Sequence, residues 1–429
     1  MQKAIDVFRL VRNKLFRSNF LRNLFIYSSG ALFLKGISFF LIPLYTKVLA
    51  PAEYGFLELL NTLITVLSIL FSFGLAQAVY VEYYHLNPAK RKEMVATVIG
   101  TYSLLGFPLF LLSGFALFYF DYLLFEQPVS FLIALLTIAS SFLLFYQNLF
   151  FSILQISKKA LNLTLNKLFL GLLTAGLNIY LVYYLRLGVT GILFSNCSLL
   201  LLSLVYPLFL FIKKIRPDFS NFTLGKSLHY IRTGLPFIIS SLSYWVLSGV
   251  DRWLIGFILG ERSVGLFSVA YKFSSVYEPL LIAPVLGVYT PYIFERFANN
   301  NFKQHKTRMT LAVSGLFVLL AFLSYILAKT FIDRSYYGSL VLIPFLVGSF
   351  AFYFLAQLIS SPILFLKKSK ALVVNIITSG LLNVLLNVIF LKHFGLIGAG
   401  MAALFSNFAW FLLSTAQSSY ILRQKRQVS

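Results

Sequence analysis

The chain has 429 residues, of which 59% are hydrophobic and only 11% are charged. A soluble domain carries about 25% charged residues, so this composition excludes an ordinary soluble fold and is typical of a protein built for lipid. The formal net charge of +23 would suggest nucleic acid as a partner of a soluble protein. Here the positive residues lie mainly between apolar runs, where orientation in a membrane accounts for them, and we expect no nucleic acid.

The first 22 residues are basic and amphipathic. Ala4, Phe8, Val11 and Leu15 recur at helical spacing among lysines and arginines. This pattern predicts a helix that lies on the cytoplasmic surface and is attracted to anionic lipid. No small-residue cleavage site follows a short apolar core, so we do not expect a signal peptide.

Twelve apolar runs of about 20 residues or more follow, and they predict twelve transmembrane helices. The runs cover 24–48, 56–81, 94–120, 129–156, 162–185, 189–212, 231–259, 264–294, 309–332, 339–366, 371–391 and 396–422. They divide the chain into a cytoplasmic segment (1–22), an amino-terminal lobe (23–212), a cytoplasmic linker (213–230) and a carboxyl-terminal lobe (231–429) that ends in a short basic tail.

The lysines and arginines are distributed unequally between the two sides of the predicted spans. The termini and the even-numbered connections together hold 26 of them, the odd-numbered connections hold six, and four lie within spans. Because cytoplasmic connections carry the excess of positive charge, both termini are predicted to be cytoplasmic. Every external connection is short, so no soluble catalytic domain is expected outside the membrane.

The two lobes carry matching motifs about 210 residues apart. The matches are Tyr54-Gly55 with Val264-Gly265, Asn166 with Asn375, Asn178 with Asn387, and Phe194-Ser195-Asn196 with Phe405-Ser406-Asn407. Each lobe holds six spans, so the repeat is parallel about an axis along the membrane normal, with the substrate site expected between the lobes. The predicted fold class is an all-α integral membrane protein of twelve transmembrane helices in two six-helix lobes.

Five charged side chains lie within apolar surroundings: Lys35, Asp251, Arg252, Lys272 and Glu278. A charge at membrane depth costs roughly 2.5–3.5 kcal/mol on insertion scales, so such residues are expected to face protein or water and to be functional. None of them recurs in the other lobe, as a shared scaffold role would require. We predict that Lys35, Arg252 and Lys272 bind an anionic substrate in a cavity that is net positive.

The acids of the same region are candidates for gating or ion coupling. Glu278 is predicted near the midplane, where it could pair with Lys35 as a gate, and Asp251 could pair with either cation of its hairpin. Glu58, near the outer end of span 2, would lower the positive balance.

Other kinds of site are not indicated. The single cysteine, Cys197, excludes a disulfide framework and is interpreted as a small buried residue. The four histidines fall at four different helix ends, so no metal site is predicted. No phosphate-binding loop and no nucleophile–base pair is present. Asn383 and Asn387 share a face of span 11, where either a cation site or hydrogen bonding between helices is conceivable.

Two stretches carry a resemblance to a known family: Phe39–Leu60, FFLIPLYTKVLAPAEYGFLELL, and Asp251–Phe273, DRWLIGFILGERSVGLFSVAYKF. With these motifs the chain resembles the polysaccharide-biosynthesis flippases, which belong to the superfamily of multidrug/toxin exporters and lipid II flippases. The resemblance implies a V-shaped pair of lobes and a lateral portal between spans 1 and 8 for a polyprenyl tail. Lipid II flippases have a sodium site with an acid early in span 7, and residues 233–243 contain no acid here.

The favoured function is therefore a flippase, not an enzyme, in a bacterial cytoplasmic membrane. It would move an undecaprenyl-pyrophosphate-linked oligosaccharide, such as an O-antigen, capsule or exopolysaccharide repeat unit, to the outer leaflet by alternating access. Partners would be the lipid-linked glycan, membrane lipids and the glycan polymerase and chain-length machinery. No cofactor is expected apart from coupling to H⁺ or Na⁺.

Two alternatives remain. A drug/cation antiporter of the same fold would need acids in its cavity, whereas the predicted central region is net positive. A glycan polymerase or ligase would need a large external loop, and none is present.

Overall fold

We describe the protein from a computed structural model, in which residues 33, 36–37, 39–156, 160–210, 213, 222–298, 306–366 and 368–428 are described. Within these residues the chain forms helices and connections and no β-strand. The predicted amphipathic segment (1–22), Lys35 and residues 214–221 of the predicted linker lie outside the described residues.

The helices of the first half pack against one another as an amino-terminal bundle. They are α1 (Phe39–Val48), α2 (Pro51–Phe71), α3 (Leu75–Glu82), α4 (Pro88–Tyr119), α5 (Phe131–Ile156), α6 (Ala160–Asn178, continued by a π-helical turn over Ile179–Tyr184) and α7 (Gly188–Leu210).

The helices of the second half form a carboxyl-terminal bundle, in which the last three long helices make the most extensive contacts. They are α8 (Leu224–Leu259), α9 (Glu261–Ser275), a π-helical turn (Glu278–Ile282), α10 (Ala283–Ala298), α11 (Lys306–Phe331), a 3₁₀ segment (Arg334–Leu342), α12 (Ile343–Ile359), α13 (Ser361–Phe365), α14 (Ser369–Phe394) and α15 (Leu396–Val428).

The structure confirms the predicted fold class, and it does not confirm the count of twelve spans. Nine helices in the described part of the chain are long and apolar enough to cross a membrane. Predicted spans 1, 7 and 8 are not among these nine: α1 is shorter, and the chain over predicted span 8 is divided into α9, the π-helical turn and α10. α8 also begins at Leu224, seven residues before the predicted start of span 7.

Span 2 is broken where the sequence predicts a continuous helix. Phe73 and Gly74 have positive φ angles of 47° and 67° between α2 and α3. Gly74 lies against Gly234 of α8, and a Cβ on either glycine would lie within 2.4 Å of the other's carbonyl oxygen. The break therefore allows the backbones of the two bundles to touch at Gly74 and Gly234. This contact lies close to the face that the distribution of lysine and arginine predicts to be cytoplasmic, which we call the inner face.

Polar contacts join the bundles at the same inner face. Glu82, at the end of α3, accepts a hydrogen bond from the Thr233 hydroxyl at 3.0 Å and lies 2.9 Å from Nε2 of His229. Lys226, at the start of α8, forms an ion pair with Glu93 of α4. The first three turns of α8 are therefore attached to the amino-terminal bundle.

At the opposite, outer face, α2 and α9 touch at a second pair of glycines. A Cβ on Gly55 would lie 1.8 Å from the Glu261 carbonyl oxygen, and one on Gly265 would lie 1.9 Å from the Pro51 carbonyl oxygen. Gly55 and Gly265 are the residues that the internal repeat aligns with each other, so the contact joins equivalent positions of the two bundles.

The connection before α5 adds hydrogen bonds to this outer contact. The buried Glu261 carboxylate accepts from the backbone N–H of Glu126 at 2.9 Å and from the side-chain amide of Gln127 at 3.0 Å. In return, the Glu126 carboxylate accepts from the Glu261 N–H at 3.2 Å, which is a free donor in the first turn of α9. The two bundles are thus joined at both faces.

Candidate functional site

A buried group of charged residues lies between the bundles, beneath the outer contact. Lys272 Nζ of α9 donates to Glu58 Oε1 of α2 at 2.6 Å and to the Tyr54 hydroxyl at 2.7 Å. Arg252 Nε of α8 lies 3.8 Å from Glu58 Oε2 and 3.3 Å from the Ser268 hydroxyl. We call Glu58, Arg252 and Lys272 the ion cluster.

The three helices bring these side chains to one depth because each lies a few turns from its outer end. Glu58 is seven residues from the start of α2, Arg252 seven residues from the end of α8, and Lys272 eleven residues from the start of α9. At 1.5 Å per residue, these positions are about 10 to 16 Å along the helices. Because α2 packs tightly on α9, Glu58 of the amino-terminal bundle meets two cations of the other bundle.

The cluster has a net formal charge of +1 and is largely shielded. The Glu58 and Arg252 side chains are 7% and 8% exposed, and the Lys272 side chain is 33% exposed. The Arg252 guanidinium also lies 4.7 Å from the centre of the Tyr271 ring, a favourable cation–π geometry. A buried carboxylate of this kind needs its cations, since an unpaired charge in the same place would be costly.

The predicted grouping of Arg252 and Lys272 is therefore present, with a different acid at its centre. From the sequence, Asp251 could pair with either cation, whereas the described structure pairs both of them with Glu58. The reason is helical geometry: Asp251 is adjacent to Arg252 in sequence and points about 100° away from it around α8. Lys35 lies outside the described residues, so the Lys35–Glu278 gate stays a prediction.

Asp251 lies instead at a polar cavity inside the carboxyl-terminal bundle, which we call the carboxyl-terminal cavity. Its Oδ1 atom accepts from the Asn387 side-chain amide at 2.8 Å, and Asn387 also donates to the Asn383 backbone carbonyl at 3.0 Å. The cavity has a volume of about 410 Å³ and is lined by Asp251, Glu278 and neutral polar, aromatic and aliphatic side chains. Among its described lining residues there is no lysine or arginine. This chamber is acidic, and it differs from the single cationic chamber predicted from the sequence.

A second cavity, of about 570 Å³, lies inside the amino-terminal bundle between α2, α5, α6 and α7. We call it the amino-terminal cavity. Amides and hydroxyls line it together with apolar side chains; the polar lining includes Asn61, Thr65, Gln147, Asn148, Thr174 and Asn196. No aspartate or glutamate occurs between residues 127 and 217, so α5, α6 and α7 carry no carboxylate. α6 also carries Lys167, whose side chain lies outside the described part of the chain.

The internal repeat relates the two cavities. Asn196 of α7 lines the amino-terminal cavity, and its repeat counterpart Asn407 of α15 lines the carboxyl-terminal cavity. The preceding serines also correspond, and each accepts from an asparagine of the neighbouring helix: Ser195 from Asn178 at 3.0 Å and Ser406 from Asn383 at 3.3 Å. These two donors are not repeat counterparts, since Asn178 aligns with Asn387. The bundles thus contain equivalent cavities that differ in charge.

The amino-terminal cavity and the central position of Glu58 are not predicted from the sequence. A signal for the cavity was present in four amides within apolar runs, Asn61, Gln147, Asn148 and Asn196. Because uncharged amides also serve as contacts between membrane helices, their occurrence alone does not show that they surround a cavity.

Comparison with known proteins agrees with this architecture. Residues 20–297 match the family model of the polysaccharide biosynthesis proteins. An uncharacterised membrane protein of Methanocaldococcus jannaschii is 22% identical over 92% of this chain and 96% of its own length.

Two solved structures share the fold. The lipid II flippase MurJ in an inward closed conformation has a TM-score of 0.75 at 18% identity, covering 92% of this chain and 87% of MurJ. An inward-facing multidrug resistance MATE family transporter of the MOP superfamily has a TM-score of 0.73 at 16% identity, covering 93% of this chain and 96% of that one. With a family model that matches well over half of its length, the chain belongs to the polysaccharide biosynthesis protein family.

Proposed function

We propose that the protein is a flippase that moves an undecaprenyl-pyrophosphate-linked oligosaccharide from the cytoplasmic to the outer leaflet of a bacterial cytoplasmic membrane. The observation that carries the proposal is the ion cluster, in which a single carboxylate of one bundle holds two cations of the other. The family and the likeness in fold to a lipid II flippase support a lipid-linked glycan as the substrate class.

The diphosphate of the substrate competes with Glu58 for the same cations. Arginine and lysine bind phosphate oxygens through charge-assisted hydrogen bonds, and a diphosphate offers more negative charge than one carboxylate. When the headgroup binds Arg252 and Lys272, the electrostatic link between α2 and the carboxyl-terminal bundle is weakened. Substrate binding thereby favours separation of the bundles at the outer face, while the polyprenyl tail remains in the bilayer.

Release on the outside requires the outer contact of α2 with α9 to open and the inner contact of α3 with α8 to hold. Both contacts are pairs of glycine backbones, which can separate without rearranging large side chains. The membrane potential assists outward movement of the anionic headgroup by about 2.3 kcal/mol per charge per 100 mV.

The carboxyl-terminal cavity is the candidate site for ion coupling. The empty cluster keeps its net positive charge, so the same potential favours its return to the inner side, and any coupling ion would act on the carboxylates of the carboxyl-terminal cavity. Uptake of a proton or Na⁺ by Asp251, with Glu278 in the same cavity, would neutralise acid inside the carboxyl-terminal bundle. We propose Asp251 for this role because its carboxylate lies at the cavity and is fixed by Asn387.

The glycan would be a repeat unit of a surface polysaccharide, such as O-antigen, capsule or exopolysaccharide. The expected partners are membrane lipids and the polymerase and chain-length machinery that use the translocated unit. In this orientation both termini are cytoplasmic, as the distribution of positive charge predicts.

The acidic carboxyl-terminal cavity favours one alternative, a drug/cation antiporter. Two carboxylates together with Tyr271, Tyr353 and Trp410 form a lining suited to an organic cation. A deletion strain that becomes sensitive to cationic dyes, and regains resistance when the protein is restored, would support this function over the flippase.

The direct test is reconstitution. We expect proteoliposomes containing the protein to transfer undecaprenyl-pyrophosphate-linked glycan between leaflets, and Arg252→Ala and Lys272→Ala variants to be at least about 10-fold slower. Transfer at an unchanged rate in both variants would refute the role of the ion cluster, and no transfer by the wild-type protein would refute the flippase.

A further inference from the structure

The amino-terminal cavity has the chemistry of a site for an uncharged polar ligand. Its volume of about 570 Å³ is within the range of roughly 300–1,000 Å³ typical of small-molecule sites. It lies deep in the membrane: Asn61 and Asn196 are about 15 and 12 Å along their helices from the outer ends of α2 and α7. Polar groups at such depth are costly unless a partner satisfies them. The Asn61 amide lies 3.4 Å from Glu58 Oε1, whereas an amide without a protein partner favours an occupant that forms hydrogen bonds.

Two of the amides are available to a ligand. Neither the Asn148 nor the Asn196 side chain forms a hydrogen bond to another residue of the described chain, and Asn148 is exposed to the cavity. Gln147 differs, because its amide donates to the Ser203 hydroxyl at 2.8 Å. Each free asparagine offers two N–H donors and a carbonyl acceptor, which match the hydroxyl and acetamido groups of sugars.

The cavity is also adjacent to the ion cluster. Asn61 lines the cavity, and its side-chain amide lies 3.4 Å from Glu58 Oε1. A ligand whose anionic end displaces Glu58 from Arg252 and Lys272 therefore has its next chemical group at the boundary of the cavity. In a diphosphate-linked glycan, that group is the first sugar.

The equivalent cavity of the other bundle provides a contrast. The carboxyl-terminal cavity contains Asp251 and Glu278, whereas α5, α6 and α7 contribute no carboxylate to the amino-terminal cavity. A cation is therefore favoured in the first and not in the second. The internal repeat therefore relates two equivalent cavities whose linings suit ligands of different charge.

We propose that the amino-terminal cavity is a glycan subsite, in which Asn148 and Asn196 hydrogen-bond to the sugars nearest the diphosphate. This inference rests on the proposed flippase function. It adds that the oligosaccharide is bound inside the amino-terminal bundle, with the diphosphate at the ion cluster.

The test compares two lipids on the full-length protein in lipid nanodiscs. One is undecaprenyl pyrophosphate without sugar, and the other is lipid-linked oligosaccharide extracted from the cells that make this protein. Dissociation constants are measured for the wild-type protein, for Asn148→Ala and Asn196→Ala, and for Asn148→Gln, which keeps the amide. Asn87→Ala, at the start of α4 on the inner face, is the matched control for loss of an asparagine amide elsewhere.

We expect the wild-type protein to bind the sugar-bearing lipid at least about 10-fold more tightly than the bare lipid. Asn148→Ala and Asn196→Ala should each weaken binding of the sugar-bearing lipid about 3- to 10-fold, the effect of a lost hydrogen bond, and leave the bare lipid within 2-fold. Asn148→Gln should retain part of the preference, and Asn87→Ala all of it.

Equal weakening of both lipids would overturn the glycan subsite and leave the flippase standing, as would equal wild-type affinity for the two lipids. Failure of the wild-type protein to bind either lipid would overturn the proposed function as well.

Discussion

Gly55 and Gly265 meet backbone to backbone at the outer face, and each stands at the same position of its own repeat. A Cβ on Gly55 would lie 2.8 Å from the Gly265 nitrogen as well as 1.8 Å from the Glu261 carbonyl oxygen. No larger residue fits while α2 and α9 keep this separation. The outer face can therefore close in this way only because neither position carries a side chain.

Gly55→Ala should force the outer contact apart. Overpacking of this kind costs about 1–3 kcal/mol, and opening the outer face relieves it. We expect a cysteine placed beneath the contact, Thr62→Cys in a Cys197→Ala background, to react several-fold faster with an impermeant maleimide added from outside. Gly287→Ala, where a Cβ meets no atom within 4 Å, is the control and should leave the rate unchanged. Equal rates in the two alanine variants would mean that the glycine contact does not close the outer face.

Glu58→Gln should destabilise the protein by leaving Lys272 and Arg252 without their acid. Removing one partner of a buried ion pair costs about 3–5 kcal/mol, and we expect about 3 kcal/mol because Lys272 is a third exposed. The readout is thermal unfolding in detergent. Glu53→Gln, five residues earlier in α2 and less buried than Glu58, should cost less than about 1 kcal/mol. The double variant Glu58→Lys with Lys272→Glu should recover part of the loss, and no recovery would show that the pair is not coupled.

Asp251→Asn should abolish ion coupling, while its side-chain carbonyl oxygen can still accept a hydrogen bond from Asn387. We expect wild-type transfer in proteoliposomes to accelerate when a proton or Na⁺ gradient is imposed, and the variant to respond to neither gradient. Glu295→Gln, an acid near the inner end of α10, is the control. A variant that keeps its full response to the gradient would remove Asp251 from the coupling site.

Glu261 should make the outer contact sensitive to external pH. Burial raises the pKa of the Glu261 carboxyl above its ordinary value, and the neighbouring Glu126 carboxylate adds to the rise, whereas the hydrogen bonds from Glu126 and Gln127 oppose it. The closed contact therefore binds a proton more readily than the open one, so it is favoured at low pH and weakens as pH rises through the raised pKa.

Labelling of the Thr62→Cys protein measures this effect. We expect slower labelling from outside at about pH 5 than at about pH 7.5, after normalisation to the same cysteine in a Glu261→Gln background. A pH dependence identical in both backgrounds would exclude Glu261 as its source.

The sequence was sufficient for the fold class because membrane helices are recognised by apolar length and the repeat by its spacing. It did not reveal the break at Phe73 and Gly74, since a residue such as phenylalanine gives no local signal of positive φ. Arg252 and Lys272 were recognised as a pair because intramembrane charge is rare and costly. The position of Glu58 between Arg252 and Lys272 is not predicted from the sequence. It depends on the close approach of α2 to α9, which the packing of Gly55 on Gly265 makes possible.

The distribution of lipid-linked oligosaccharide between leaflets tests the central claim most directly. In cells depleted of the protein, we expect the glycan lipid to accumulate in the cytoplasmic leaflet, and the wild-type protein to restore it to the outer leaflet. Lys272→Ala, produced at the same level, should fail to do so. An outer-leaflet fraction unchanged by depletion, or fully restored by Lys272→Ala, would contradict a flippase that binds its diphosphate headgroup at the ion cluster.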